Sequence, residues 1–334
     1  MKNCHKDITS YHVNRVKLTS SQLETLRNRR NANRKRLKKG LQKSNDPQPI
    51  DFISQGSYKA RTTIQEPKNA YDIDDGAIFL KEYLVGERGG EKSTLDAKKM
   101  IRNAVDDGSF KTSPEVKANC VRVHYDDGSH VDIPVYRKTN DTCGKDLHEI
   151  ASAAWKESNP MGVNEWFEEC LSRRSESGRH QMRTLIRLIK AYCKHRPSYS
   201  LPNGFILTVL IYETYYAHSE RLDSALRNLI TAIRDRLRLN LTVSHPGVNE
   251  NLAEHDDPKC SKLKELLTTS LEDLKILDRA NCKRSEALKA WKKVFNTDYF
   301  NDAIKKAEQD EKNAAAACVA AAPFIPKPYC SRND

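Results

Sequence analysis

No window of eighteen or so apolar residues occurs in the sequence, and its first ten residues, MKNCHKDITS, hold no hydrophobic segment. A membrane-spanning helix and a secretory signal peptide are therefore not expected, and the chain reads as cytosolic, with no membrane partner. Nine cysteines are scattered at 4, 120, 143, 170, 193, 260, 282, 318 and 330, without a C-x-x-C pair or a framework spacing. That pattern argues against a disulfide scaffold or a thiolate zinc site and leaves buried or idle thiols in a reducing compartment. There is no internal repeat, and no RNA-reading aromatic motif is visible.

What is present fits a soluble globular protein. The chain has 334 residues, enough for two domains or one large bilobed one, with 38% apolar and 31% charged residues. Its formal charge of +12 attracts anions such as nucleotides, nucleic acid or acidic membrane, without choosing among them. Eight Lys or Arg residues lie between Arg27 and Lys39, in a stretch whose Leu23, Leu26, Leu37 and Leu41 recur at roughly helical spacing. This predicts one long, largely exposed helix, ended by SNDPQP at 44–49. A solvated face explains its charge; nucleic-acid binding is the functional alternative.

Residues 50–136 alternate strand signals with turns. IDFIS and YDIDDGAIF read as strands, KSTLDAKKMIRNAVDDG as a helix preceded by a mobile loop VGERGGEKST, and CVRVHYDDGSHVDIPVY as two runs joined at Asp127-Gly128. Strands around a helix suggest an α/β or α+β lobe. After about residue 145 the strands are expected to stop: DLHEIASAAWKES, VNEWFEECLSRRS, 179–195, FILTVLIYETYYAHS, LDSALRNLITAIRDRLRL and SKLKELLTTSLEDLKIL all carry helical periodicity. FILTVLIYETYY is apolar nearly all round and should be the buried centre of an all-α lobe. The alanine-rich end should be a frayed helix followed by a loose tail.

The chemistry concentrates in YDIDDG. In a strand, Asp72 and Asp74 share one face about 7 Å apart while Ile73 points to the core. Two such carboxylates repel unless a cation lies between them, and magnesium prefers hard oxygen ligands of this kind. An edge strand with its aspartates in water is the alternative for D-x-D alone. An EF-hand is excluded, since counting from Asp72 the glycine comes fifth rather than sixth and the twelfth residue is Tyr83. In SHVDIPVY the apolar face is Val131, Ile133 and Val135, which leaves Asp132 on the other face with His130. If that strand lies beside the first, Asp132 completes a trio able to hold two metal ions for in-line attack on phosphorus. Upstream, Gly56-Ser57 follows a strand and could open a helix. There the glycine would let the backbone approach a phosphate and the serine would donate to it, although most such pairs are simply turns.

Together, QGS, YDIDDG and HVDIPVY resemble the nucleotidyltransferase superfamily, and QGSYKARTT followed by DIDDG resembles the CD-NTase family of bacterial cyclic-oligonucleotide synthases, related to animal cyclic GMP-AMP synthase. HQMRTLIRLIKAYCKHR and GFILTVLIYE also resemble that family's helical lobe. The resemblance implies an α+β fold, bilobed, with a mixed β-sheet catalytic lobe and an all-α second lobe. It implies a basic N-terminal helix bracing the lobes at 1–48, a catalytic core at 49–145, a helical lobe at 146–312 and an Ala/Pro-rich tail at 313–334. By the same resemblance Gln55, Gly56 and Ser57 hold the donor triphosphate, and Asp72, Asp74 and Asp132 are catalytic and hold two Mg2+ ions, for which Mn2+ could substitute. Asp75, on the opposite strand face, reads as structural, as a cap for a turn at Gly76.

In the helical lobe Leu185, Ile189 and Tyr192 mark the buried side, and Arg183, Arg187, Lys190 and Lys194 form a basic stripe. A solvated face is one reading; by the resemblance the stripe faces the cleft, with Lys190, and more weakly Ser200, on the phosphates. The implied activity is condensation of ATP, GTP or other nucleoside triphosphates into a cyclic di- or trinucleotide, with release of pyrophosphate. The setting implied is CBASS antiphage defence, with an effector reached through the product, accessory CBASS proteins and no nucleic-acid requirement. Two rivals stay open: a linear oligonucleotide or RNA-end nucleotidyltransferase, and a non-catalytic nucleic-acid-binding module.

Overall fold

The computed structural model describes residues 1–65, 71–86, 89–140, 144, 146–217 and 220–320. The proline-broken part of the expected tail, 321–334, lies outside the described residues, as does residue 145 at the expected lobe boundary. No helix among the described residues is long and apolar enough to cross a membrane.

The N-terminal 48 residues are divided between the two lobes. Helix α1 (His5–Tyr11) runs into a π-helical turn, His12–Val16, and both bury side chains in the helical lobe. Helix α2 (Ser20–Lys43) starts where Thr19 and Gln22 form a reciprocal capping box, and it ends just before SNDPQP. It packs Leu26, Leu37 and Leu41 into the core of the sheet lobe. Its basic residues are only partly solvated: Arg29 pairs with Asp127 (2.9 Å), Arg36 with Asp107 (2.9 Å) and Arg34 with Asp75 (2.6 Å).

Strand β1 (Asp51–Gln55) leads directly into a single helical turn, α3 (Gly56–Lys59), and β2 (Asp72–Leu80) returns antiparallel to β1. Helix α4 (Thr94–Val105) is amphipathic and lies on the sheet. The expected loop before it is closed by a bridge between Val85 and Glu91; residues 87–88 lie outside the described set. Next come β3 (Glu115–Val116), β4 (Val121–His124) and β5 (His130–Ile133), with the turn at Asp127-Gly128 joining the last two. Gly128 sits at φ 94°, which that turn requires. HVDIPVY is not one strand. Pro134 has no N–H to give the ladder, so β5 ends and β6 (Val135–Asn140) begins, and both segments run parallel to β2.

The strands do not stop at residue 145. DLHEIASAAWKES, expected as a helix, forms the hairpin β7 (Asp146–Ala151) and β8 (Trp155–Glu157), so the sheet order is β3-β4-β5-β2-β6-β7-β8 with β1 also on β2. The stretch is helical in composition, but tertiary pairing overrides propensity. Lys138 pairs with Asp146 (2.7 Å) across the strands, and buried Arg137 pairs with Glu149 (2.6 Å) and stacks on Trp155 at 4.4 Å. The expected boundary at 145–146 therefore falls inside the mixed sheet.

Helices then follow in order: α5 (Gly162–Ser172), α6 (Glu176–Lys194), α7 (Gly204–Thr214) and α8 (Leu222–Leu239). A short hairpin of β9 (Val243–Ser244) and β10 (Asn251–Ala253) precedes α9 (Pro258–Leu274), α10 (Arg284–Phe295) and α11 (Asn301–Ala320). As its composition predicts, α7 is buried, with Ile206 to Ile211 enclosed by the neighbouring helices. The fold is α+β, with one apolar core under the sheet and a second among the helices.

Asp75 is structural, but not as a cap, because β2 runs straight through Gly76. Glycine is needed there for another reason: a Cβ would stand 2.7 Å from the Tyr136 ring. Asp75 is 3% exposed and accepts two hydrogen bonds from Arg34 (2.6 Å each) and one from Ser54 Oγ (2.8 Å). Removing one partner of a buried pair leaves the other charge unpaired, and Arg34 is partly solvated, so Arg34→Ala should lower unfolding stability by about 2–3 kcal/mol. Urea denaturation measures this, with Arg27→Ala expected to change little.

Candidate active site

The period-2 pattern of β2 decides the geometry. Asp72 and Asp74 share a face, and Ile73 is fully buried on the other. Because β5 runs parallel to β2, Asp74 is in register with Asp132, and Asp72 with His130. The third carboxylate is thus on the neighbouring strand, directly beside the second. Burial raises the Asp74 carboxyl to about 7, and the charges of Asp72 and Asp132 add to the effect, with Arg122 opposing it. Asp74 has no ion-pair partner among the described residues.

Asp132 does have one. Arg122, its cross-strand partner in the β4–β5 hairpin, donates two hydrogen bonds to its carboxylate, Nε to Oδ1 and Nη2 to Oδ2, both at 2.7 Å. Sequence reasoning missed Arg122, although counting back from the Asp127-Gly128 turn places it opposite Asp132. His130, beside Asp132 in β5, lines the cavity between the sheet and the helices, and burial lowers its pKa.

Above the carboxylates lies the turn from β1 into α3. Gly56 has φ +61°, and a Cβ there would come within 2.2 Å of Asp74 Oδ2, so the backbone rests directly on that carboxylate. Ser57 Oγ is 3.0 Å from Thr63 Oγ1. Gly56, Ser57, Asp72 and His130 form one wall of a cavity of about 660 Å3 between the sheet and the helices. The opposite wall comes from α5, α6, α7 and the connection before α7, and includes Trp166, Lys190, Tyr199 and Phe205. Lys190 Nζ donates to the Thr62 carbonyl (3.2 Å).

The other expected residues are placed differently. Gln55 points its amide along the sheet, to the Tyr136 hydroxyl (3.1 Å) and the Pro160 carbonyl (2.6 Å), and does not line the cavity. Ser200 is exposed and is not a lining residue, although its neighbours Tyr199 and Leu201 are. Only the end of the basic stripe on α6 is a solvated face: Lys194 is exposed at the cavity, whereas Arg187 is 6% exposed, and Arg183, Arg187 and Lys190 all donate to backbone carbonyls after α3.

Asp72 and Asp74 are a hard oxygen donor pair with uncompensated negative charge, which suits Mg2+ or Mn2+. Asp132 could join by sharing its oxygens with Arg122 or by parting from it. Accordingly, among the described residues no group of three His, Cys, Asp or Glu side chains is arranged around a common metal position.

Comparison with known proteins agrees with this geometry. Residues 50–136 match the family model described as the nucleotidyltransferase domain of cyclic GMP-AMP synthase DncV-like proteins. The chain carries a DncV-like nucleotidyltransferase domain. The fold extends the likeness beyond that domain. A mutant of the Vibrio cholerae di-nucleotide cyclase DncV in complex with ATP and GTP superposes with a TM-score of 0.71 at 16% identity, covering 91% of this chain and 99% of that one. V. cholerae DncV in complex with the linear intermediate 5′ pppA(3′,5′)pG gives 0.67 at 15%, covering 88% and 95%. Escherichia coli DncV in its 3′-deoxy GTP bound form gives 0.67 at 16%, covering 87% and 95%. At these identities the likeness is one of fold. The matched nucleotidyltransferase domain runs from β1 to the start of β6, the segment that carries Gly56, Ser57 and all three aspartates.

Proposed function

We propose that this protein is a CD-NTase that condenses nucleoside triphosphates into a cyclic di- or trinucleotide and releases pyrophosphate at each step. The observation that carries the reading is the register of Asp74 with Asp132 beneath Gly56, beside a cavity large enough for nucleotides. V. cholerae DncV, whose fold this chain shares, has been captured with ATP and GTP and with a linear intermediate.

In this reading the α3 turn receives the donor triphosphate: the backbone at Gly56 lets it approach closely, and Ser57 Oγ donates to a phosphate oxygen. Lys190 adds a positive charge from the helical lobe. Asp72 and Asp74, with Asp132 when it parts from Arg122, would hold two magnesium ions. Bound there, these supply charge neutralisation at the phosphate under attack. Trp166, Tyr199 and Phe205 offer flat apolar faces for bases, and the two walls hold the acceptor 3′-hydroxyl in line with the donor α-phosphorus. Its oxygen gives up its proton to solvent and forms the new P–O bond as the bond to pyrophosphate breaks. ATP and GTP are the proposed substrates. A role in CBASS antiphage defence, with a downstream effector and accessory proteins, rests on the family resemblance.

Incubating the purified chain with labelled triphosphates, singly and in pairs, tests the product. A species that resists phosphatase and has the mass of a closed ring is expected. A product with a phosphatase-sensitive end identifies a linear oligonucleotide synthase instead, and a product formed only when RNA is added identifies an RNA-end transferase.

A further inference from the structure

Arg187 is buried at the junction of the two lobes and has no acidic partner among the described residues. Burying a guanidinium without a counter-ion is costly, and the burial pushes its pKa down to about 10. Its hydrogen bonds go elsewhere. Nη1 donates to the Arg61 carbonyl (2.6 Å), Nε to His12 Nε2 (3.0 Å) and Nη2 to Thr184 Oγ1 (3.4 Å). His12, in the π-helical turn, is kept neutral by burial and by the charge of Arg187, with its pKa lowered to about 3, so its Nε2 is free to accept.

The neighbours of Arg187 on α6 act in the same way. Arg183 Nε donates to the Ala60 carbonyl (3.2 Å) and Lys190 Nζ to the Thr62 carbonyl (3.2 Å). Three bases at steps of four and three therefore hold three consecutive carbonyls. The amides of those same residues close the α3 turn from the other side: Ala60 N–H donates to Gly56 O (3.1 Å), Arg61 N–H to Tyr58 O (3.2 Å) and Thr62 N–H to Ser57 O (2.9 Å). Arg61 is held at φ 58°, a conformation an arginine rarely adopts unaided. The segment is thus gripped by the turn that would face the phosphates and by a helix of the other lobe.

We infer that Arg187 is a positioning residue for nucleotide binding, clamping the Arg61 carbonyl so that the Gly56-Ser57 turn is preformed for the donor triphosphate. This rests on the proposed role of that turn. Arg187 does not touch the nucleotide; it acts through residues 60–62, and His12 orients its guanidinium.

The test uses the full chain with Mg2+ and α,β-methylene ATP, read by calorimetric affinity, by hydrogen exchange of the peptide spanning 58–63, and by Tm. Arg187→Met replaces a buried unpaired charge with an apolar chain of similar length and should keep Tm. It should weaken the affinity about tenfold and speed exchange across 58–63. Arg187→Lys, which can still reach one carbonyl but lacks the fork that also binds His12, should weaken it about threefold. Wild-type affinity and exchange in Arg187→Met overturn the inference. If that variant does not fold, Arg187→Lys decides: wild-type affinity overturns it, and weaker binding at an unchanged Tm supports it. Asp74→Asn, assayed in parallel for pyrophosphate release, keeps the two readings apart. Full turnover there removes the proposed function itself, whereas an inactive Asp74→Asn with an unaffected Arg187→Met removes only the clamp.

Discussion

Asp74→Asn should cut pyrophosphate release by at least about a thousandfold while making the metal-free protein more stable at pH 8. The two effects have one cause. Asp74 is desolvated beside Asp72 and Asp132, which raises its carboxyl to about 7, well above the unfolded value of 3.8. A carboxylate with a raised folded-state pKa contributes stability that is fully present below pH 3.8 and is lost as pH climbs through 7. At pH 8 the native state therefore carries an unfavourable charge worth on the order of 4 kcal/mol, and asparagine removes it. Thermal melts of both proteins without divalent ions, from pH 4 to pH 8, check this: relative to the variant the wild type should lose stability between about pH 4 and pH 7 and level off above it. Adding Mg2+ should restore the wild type at pH 8, and below pH 7 its binding should also release a proton, with little effect on Asp74→Asn. A variant that melts lower than wild type at pH 8 would show that Asp74 is stabilised by something other than a bound cation.

Gly56→Ala should be nearly as damaging to turnover, by about a hundredfold or more, for a steric reason. Alanine is strained at φ +61°, and its methyl would lie 2.2 Å from Asp74 Oδ2, so either the turn or the carboxylate must shift. The expected loss is in kcat more than in folding, because Gly56 is exposed and strain in a surface turn costs only about 1–2 kcal/mol. Steady-state kinetics beside a urea melt separates the two. Gly76→Ala is the useful contrast: its methyl would strike the Tyr136 ring inside the sheet, so stability should fall as well as rate.

How much of this was legible in the sequence varies with the range of the interactions. Asp72, Asp74 and Asp132 could be read because strand alternation is strictly local, and Ile73, Val131 and Ile133 fix which face is the core. The Asp127-Gly128 turn set the β4–β5 register, and with it the Arg122–Asp132 pair, though that pair was not counted out. The β7–β8 hairpin was hidden because its residues favour helix and only the exposed edge of β6 recruits them as strands. Asp75 looked like a turn residue because its partner, Arg34, lies 41 positions away on a helix that seemed merely solvated. The α6 stripe was legible only in part. Its spacing was visible, but the carbonyls it holds are more than 120 residues upstream, so a solvated and a cleft-facing stripe both stayed open and the burial of Arg187 could not be read.

The central claim is that Asp132, although paired with Arg122 here, works with Asp72 and Asp74 on a bound triphosphate. Pyrophosphate release by Asp132→Asn, measured at saturating Mg2+ and triphosphate against wild type, tests this most directly. The account predicts a fall of at least about a hundredfold with the fold intact by circular dichroism. Release at the wild-type rate would contradict it and leave Asp132 as no more than the counter-ion of Arg122.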